Sequence, residues 1–185
     1  MDDLIRTLMV VAAYLAGVSG LALVVTSFFE SGRRLVASLI GGQEMAFAWA
    51  AAILMSASSL ALSEVFHYNP CRWCWFQRVL AYPNVVVLGW GWFRKDRNSW
   101  APALTLAGLG LLTSGWHMLI DYGVISEGTS CDPYNPCTTR WKGFLSDYNT
   151  IQLCAFMCFL FIIGLGLHAL RNRPTTIAPE GTTSG

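Results

Sequence analysis

The feature that most constrains this 185-residue chain is a set of long segments without any Asp, Glu, Lys or Arg. Four of them are 19 to 23 residues long: 7–29, 45–63, 99–120 and 150–170. An α-helix needs about 20 apolar residues to cross the hydrocarbon core of a bilayer. Because lipid offers the backbone no hydrogen-bonding partners, spanning segments of this length are expected to be helical.

A fifth uncharged segment, residues 79–93, is too short to span a bilayer by itself. If Phe93, which precedes Arg94, marks one edge of the membrane, counting back about 20 positions reaches Cys74. A helix is therefore expected at 74–93, with Arg78 roughly 6 Å below the opposite edge. A charge at that depth is costly and is by default a functional-site hypothesis. Together the segments predict five membrane helices in one domain, residues 1–173.

The composition supports a chain surrounded by lipid. Hydrophobic residues make up 54% of the sequence and charged residues 12%, and 12 Lys and Arg nearly balance 11 Asp and Glu. Nucleic-acid binding needs a basic surface, so this balance predicts no nucleic-acid partner.

Basic residues near the helix ends favour the cytoplasmic side of a membrane. In a five-helix arrangement seven of them fall on one side and five on the other, so the amino terminus is expected outside and the carboxyl terminus inside. The outer loops, 64–73 and 121–149, then carry four cysteines into a space where disulfides persist. Residues 7–29 are not expected to be a secretory signal, because the uncharged run is too long and Asp2-Asp3 has the wrong charge.

The connecting segments show three local patterns. Apolar residues at helical spacing between positions 35 and 40 predict a short helix, either lying on the membrane or packed against the bundle. Trp141, Phe144 and Leu145 follow an i, i+3, i+4 pattern that predicts an interfacial anchor in the longer outer loop. Residues 174–185, rich in Thr, Gly and Ser, are expected to be a disordered cytoplasmic tail.

The motif Cys71-x-x-Cys74, followed by Arg78, is typical of reversible thiol–disulfide chemistry. A short loop makes ring closure easy, and nearby positive charge lowers the pKa of one thiol. If the helix begins near Cys74, then Cys74 and Arg78 share a face, and the guanidinium and the helix amino terminus would stabilise a Cys74 thiolate. Cys71 is then expected to be the more exposed partner for exchange.

Two other interpretations of this pair stay open. The pair could form a static disulfide, or it could bind zinc together with Cys131 and Cys137. The second spacing, C-x5-C, lies outside the usual range for zinc ligands, so no metal is expected.

The remaining cysteines form two further pairs. Cys131 and Cys137 bracket a turn with two prolines, and they suit a relay that meets a soluble protein, although a disulfide that only closes the loop is the alternative. Cys154 and Cys158 lie one turn apart in the last helix and are expected to pack as small apolar residues.

The histidines do not predict a haem. His117 and His168 lie near opposite ends of their helices, too far apart in depth to share one iron. His117 lies at about the depth inferred for Arg78, so a ring carbonyl held between them could be polarised and protonated there. A His117 that only bonds a backbone carbonyl is the alternative.

With these residues in hand, the chain resembles the DsbB-like disulfide-bond-formation family of bacterial membrane thiol:quinone oxidoreductases. The resemblance covers about residues 45–170 and is most specific at Pro70-Cys71-x-x-Cys74-x-x-Gln77-Arg78, followed by Tyr82-Pro83. A histidine near the outer end of the next helix, a second outer cysteine pair and a last helix follow in the family's order. The resemblance implies an all-α integral membrane protein with a four-helix transmembrane bundle, to which residues 7–29 add one N-terminal transmembrane helix.

The resemblance also implies a route for electrons in the bacterial cytoplasmic (inner) membrane. A DsbA-like thiol oxidase of thioredoxin fold would reduce the Cys131–Cys137 pair. Exchange would then reduce Cys71 and Cys74, and a membrane quinone, ubiquinone or menaquinone, bound near Gln77, Arg78 and His117 would accept the electrons.

Two departures from the family pattern limit this transfer. The first helix is an addition, and the second cysteine pair is closely spaced, so the order of exchange in that loop is open. The alternative function is a non-catalytic subunit of a larger membrane complex, with disulfides that only brace its loops.

Overall fold

The computed structural model describes residues 2–126, 131, 136–138 and 150–172, and in these residues it contains helices and no strands. Within the described residues, five long helices and one short helix follow each other, with one 3₁₀ turn at Arg97–Ser99. They are α1 Asp2–Ser27, α2 Glu30–Ile40, α3 Glu44–Glu64, α4 Arg72–Arg94, α5 Trp100–Asp121 and α6 Ile151–Arg171. The anchor expected at 141–145 and the tail at 174–185 lie outside the described residues.

Four helical segments of the described chain are long and apolar enough to cross a membrane. They are Thr7–Ser27, Glu44–Glu64, Arg97–Asp121 and Ile151–Arg171. The predicted fold class, an all-α membrane bundle, is confirmed.

Helix α4 differs from the other long helices in its polarity. It is 23 residues long but includes Arg72, Gln77, Arg78 and Asn84, three of them buried. It packs between α3 and α5, both of which have spanning length. That α4 also crosses the bilayer stays a prediction, which its length and its neighbours support.

Helix α6 lies at the centre of the bundle, because α1, α3 and α5 all pack against it. The core between these helices is apolar and includes Leu88, Trp100, Phe159, Ile162 and Leu165, each at most 2% exposed. Successive long helices run in opposite directions. The first turns of α4 and α6 and the last turns of α3 and α5 therefore meet at one end of the bundle, which we call the cysteine end.

Helices α1 and α6 run parallel and approach each other closely. A Cβ added to Gly20 would lie 2.7 Å from the Cα of Phe161, and one added to Gly164 would lie 2.7 Å from the Gly20 carbonyl oxygen. Small residues allow such close contact between helices in lipid. At the end of α1, Arg171 and Arg33 donate hydrogen bonds to the Ser27 carbonyl at 2.8 and 3.2 Å, which satisfies a terminal backbone acceptor.

The short helix α2 joins α1 to α3 at the opposite end of the bundle. It has no buried residue, and it ends at Gly41, whose φ of 58° is the left-handed conformation that glycine adopts readily. A short helix was predicted here from the apolar spacing. Its exposed Leu35 and Leu39 are consistent with a helix lying on the membrane.

Candidate thiol–disulfide site

Four cysteines from distant parts of the sequence meet at the cysteine end. Cys71, Cys131 and Cys137 form one buried cluster with Ile120, and Cys74 packs against it. The structure thus brings together the two pairs that were expected to share the outer side.

The two pairs differ in bonding. Cys131 and Cys137 form a disulfide with a Cα–Cα distance of 5.8 Å, whereas Cys71 and Cys74 are free thiols. One end of the molecule therefore holds an oxidised pair beside a reduced pair, which is the arrangement that thiol–disulfide exchange requires.

Cys71 is the N-cap of α4, and its sulfur accepts a hydrogen bond from the backbone N–H of Cys74 at 3.3 Å. A hydrogen bond from the Cys74 side chain lowers the pKa of the Cys71 thiol from 9.0 to about 5, and the side chain of His117, 3.6 Å away, adds to the lowering against the opposing effect of burial. Cys71 is thus the thiol of this pair that is stabilised as a thiolate.

This arrangement corrects two expectations. Cys71 is only 5% exposed and Cys74 is partly exposed, so Cys71 is not the more accessible cysteine. The stabilised thiolate is Cys71 rather than Cys74. The main physical reason is the hydrogen bond from the Cys74 side chain to the Cys71 sulfur. The start of the helix contributes as well: α4 begins at Arg72, not near Cys74, and this places the Cys71 sulfur on the unpaired N–H groups of the first turn.

His117 is fully buried and connects the two pairs. Its Nδ1 lies 3.1 Å from Gln77 Nε2, and its Nε2 lies 3.1 Å from the Cys137 carbonyl oxygen. With the Gln77 amide donating to Nδ1, the neutral ring carries its hydrogen on Nε2, where it is shared between that carbonyl and the Cys71 sulfur, 3.6 Å away. His117 therefore ties the motif helix α4 to the loop that contains the disulfide.

Gln152, in the first turn of α6, completes this network and was missed by sequence reasoning. Its Nε2 donates to the Cys137 carbonyl oxygen at 3.5 Å and lies 3.2 Å from His117 Nε2, and the residue is buried. The available signal was a single amide just inside an otherwise apolar segment, where a polar group must find a partner.

Arg78 is buried within the protein at 8% exposure, and its depth in the membrane stays a prediction. Its Nε donates to Ser59 Oγ at 3.0 Å and its Nη2 to the Ser59 carbonyl at 2.9 Å, while its guanidinium stacks over Trp75 at 5.3 Å. Ser59 on α3 is a second residue that the sequence did not point to. These contacts hold the guanidinium in place against α3.

A cavity of about 690 Å³ opens beside Arg78, between α1, α3, α4 and α6. Cys74, Gln77 and Arg78 line its polar end, as the four-residue spacing of Cys74 and Arg78 predicted, and most of the remaining lining is apolar. A volume of this size is typical of sites for small molecules. Cys71 is absent from the lining, so Cys74 faces the cavity and Cys71 faces the second pair.

His117 does not line this cavity, although Gln77, its hydrogen-bond partner, does. The expectation that a ring carbonyl lies directly between Arg78 and His117 is therefore revised. His117 positions Gln77, and Gln77 and Arg78 face the cavity.

The described residues contain one group that resembles a metal site. The ligand atoms of Cys71, Cys74 and His117 lie within 4.8 Å of one another. The four-cysteine zinc set considered from the sequence is not assembled, because Cys131 and Cys137 are bonded to each other. Both His117 nitrogens already have hydrogen-bond partners, and the expectation that the site works without a metal stays a prediction.

Cys154 and Cys158 also line the cavity, on α6. Both are partly buried, and Cys158 packs against the apolar core, in agreement with the expectation that they pack as small apolar residues.

The fold and the site define a helical membrane protein with a buried thiol–disulfide centre. Residues 43–167 match the family described as "Disulfide bond formation protein DsbB". The chain belongs to this family, and membership gives it a role in disulfide formation and, with it, oxidoreductase chemistry.

Relatives with known names agree with this assignment. A "Probable disulfide formation protein" of Oceanobacillus iheyensis is 36% identical over 127 residues, which cover 68% of this chain and 87% of the relative. The "SPbeta prophage-derived disulfide bond formation protein B" of Bacillus subtilis is 33% identical over 60% of this chain and 74% of its own length. A "Probable disulfide formation protein" of Metapseudomonas resinovorans is 31% identical over 69% and 88%. No solved structure matches the chain.

Proposed function

We propose that this protein oxidises a DsbA-like, thioredoxin-fold thiol oxidase and passes the electrons to a membrane quinone, ubiquinone or menaquinone. The observation that carries the proposal is that the two cysteines of the motif face different surroundings. Cys71 packs against the Cys131–Cys137 disulfide, and Cys74 faces a cavity that also contains a buried arginine.

The first step is exchange at the second pair. A thiolate of the partner protein attacks the Cys131–Cys137 disulfide, the resulting mixed disulfide is resolved by the partner's second thiol, and the partner leaves oxidised. Cys131 and Cys137 are then thiols and hold the two electrons.

The second step moves these electrons to the motif pair. One thiolate of the second pair attacks a Cys71–Cys74 disulfide at Cys71, which is the sulfur in the shared cluster. Resolution restores the Cys131–Cys137 disulfide and leaves Cys71 and Cys74 reduced. The structure has the same bonding, which supports this step.

The third step uses the polar end of the cavity. Cys71 and Cys74 re-form their disulfide, and two electrons reduce a quinone to a quinol. One proton comes from the Cys74 thiol, and one comes from solvent in place of the proton that the Cys71 thiolate had already released. Arg78 and Gln77 would hold the quinone's carbonyl group there as hydrogen-bond donors.

Arg78 suits this task because Ser59 and Trp75 hold its position. His117 acts indirectly by positioning Gln77, since it hydrogen-bonds Gln77 on one side and the Cys137 backbone on the other. The bacterial cytoplasmic membrane, with the cysteine end outside, is the location that this chemistry requires, because the partner works on exported proteins.

The test measures quinone reduction by purified protein in detergent. A reduced thioredoxin-fold oxidase is added, and the loss of quinone absorbance is recorded. Wild-type protein is expected to turn over, and Cys74→Ser and Cys137→Ser are expected to stop turnover completely. If a competent partner protein stays reduced in this assay, the alternative of a non-catalytic subunit would explain the protein better.

A further inference from the structure

We infer that α1 forms one wall of the quinone cavity and holds the apolar chain of the bound quinone. This inference rests on the proposed function, and it concerns a helix that lies outside the family match, which begins at residue 43.

The cavity lies between α1 and α3. Both helices pack on α6, and both contribute lining residues along most of their length, from Ile5 to Ser19 on α1 and from Phe47 to Leu62 on α3. At a rise of 1.5 Å per residue, these stretches extend for about 21 and 22 Å. Without α1, the side of the cavity opposite α3 would open directly to lipid.

Polarity is confined to one end of this cavity. Cys74, Gln77 and Arg78 lie at the cysteine end, and Ser19, near the far end on α1, donates its hydroxyl to carbonyls of its own helix. The rest of the α1 lining is Ile, Leu, Met and Ala. A quinone ring at Arg78 would occupy only the polar end, so the long apolar part fits the chain that a membrane quinone carries.

Helix α1 is firmly attached to the bundle. Its contact with α6 at Gly20 and Gly164 allows no added Cβ, and Arg33 and Arg171 both bond its last carbonyl. The wall is thus a fixed part of the structure rather than a loosely attached helix. The side of α1 that faces away from the cavity, including Val18 and Leu21, is exposed and would face lipid.

The matched variants are Ala12→Phe and Ala22→Phe. Both alanines lie exposed on α1, but only Ala12 lines the cavity. A second matched pair removes side-chain atoms instead of adding them. Leu8, 58% exposed, lines the cavity, and Leu21, 56% exposed, does not, so Leu8→Ala is compared with Leu21→Ala.

The measurement is equilibrium binding of two quinones with the same ring, one with a long isoprenoid chain and one without a chain, in lipid nanodiscs. Quenching of intrinsic tryptophan fluorescence reports binding, since Trp75 stacks on Arg78. Ala12→Phe is expected to weaken binding of the long-chain quinone by about tenfold or more, and Leu8→Ala by a few-fold, with the chainless quinone unchanged. Ala22→Phe and Leu21→Ala are expected to match wild type.

Three outcomes overturn the inference. In the first, the cavity variants bind both quinones as their controls do. In the second, they weaken the binding of both quinones equally, which would place the ring rather than the chain on α1. In the third, they change only the phospholipid that co-purifies with the protein. If wild-type protein binds and reduces quinone but the α1 variants have no effect, only this inference is wrong. Wild-type protein that binds neither quinone removes the proposed function as well.

Discussion

The sulfur of Cys71 accepts a hydrogen bond from the backbone N–H of Cys74 at 3.3 Å, so the first cysteine of the motif caps the helix to which the second belongs. This contact separates the tasks of the two thiols. Cys71 is held as the sulfur that meets the Cys131–Cys137 disulfide, and Cys74 is left facing the cavity.

The Cys71 thiol of the reduced protein is expected to ionise at a pH near 5, because its pKa is lowered from 9.0 to about 5. Iodoacetamide alkylation of Cys71, followed by mass spectrometry, should therefore keep its rate as the pH is lowered until about 5. His117→Ala removes one of the bonds to this sulfur and should raise the pKa of Cys71. An alkylation profile centred near 9.0 in wild type would contradict the account.

The same pKa predicts how stability depends on pH. A thiol whose pKa is lower in the folded protein than in the unfolded chain favours folding when it is ionised. Its contribution is fully present above the ordinary value of 9.0, and it is lost as the pH falls toward and through about 5. The thermal unfolding midpoint of the reduced protein should fall over this range, and that of Cys71→Ser should fall less.

Gln152→Leu tests the network around His117. The change keeps a similar volume but removes the amide that donates to the Cys137 carbonyl oxygen at 3.5 Å, and a lost hydrogen bond of this kind costs about 0.5 to 1.5 kcal/mol. Electron transfer from the second pair to the motif pair should slow by roughly tenfold, while quinone affinity is unchanged. Stopped-flow thiol trapping measures the transfer. Gln43→Leu, at an exposed position, is the control, and equal effects of the two variants would argue against the network.

Arg78→Met tests the polar end of the cavity. A hydrogen bond from a charged donor is worth about 1.5 to 3 kcal/mol, so the KM for quinone should rise by roughly ten- to a hundredfold. Arg94→Met is the matched control, since Arg94 lies on the same helix and stacks on Trp90 at 5.3 Å, just as Arg78 stacks on Trp75. Similar KM values for Arg78→Met and wild type would remove the arginine from the site.

The sidedness of the molecule can be tested with two introduced cysteines. Ser126 is exposed at the cysteine end and Ser38 is exposed on α2 at the other end. In intact cells, an impermeant maleimide is expected to label Ser126→Cys and to label Ser38→Cys only after the cells are opened. The reverse pattern would place both cysteine pairs in the cytoplasm, where stable disulfides are rare.

The helices were predictable from the sequence because uncharged segments of bilayer length have few other structures available. The face that Arg78 shares with Cys74 was predictable as well, since residues four apart lie on one side of a helix, while the depth of Arg78 in the membrane stays a prediction. The identity of the thiolate was not predictable, because it depends on which of the two cysteine side chains donates a hydrogen bond to the other and on where α4 begins, and helix ends are poorly determined by sequence patterns.

The partners Ser59 and Gln152 were also beyond reach from the sequence. They become neighbours of Arg78 and His117 only when α3 packs against α4 and α6 packs against α5. The cavity depends in the same way on the packing of α1 against α6 at Gly20 and Gly164. Periodicity along one chain does not predict which helices pack together.

The most direct test of the central claim uses the variant Cys131→Ala/Cys137→Ala, which keeps only the motif pair. The reduced variant is mixed with quinone without air, and the products are followed by quinone absorbance and by mass spectrometry of the thiols. The account predicts a single turnover in which each molecule gains a Cys71–Cys74 disulfide and forms one quinol, with no further turnover when the thioredoxin-fold partner is added. Reduced quinone without that disulfide, or no reduction of quinone at all, would contradict it.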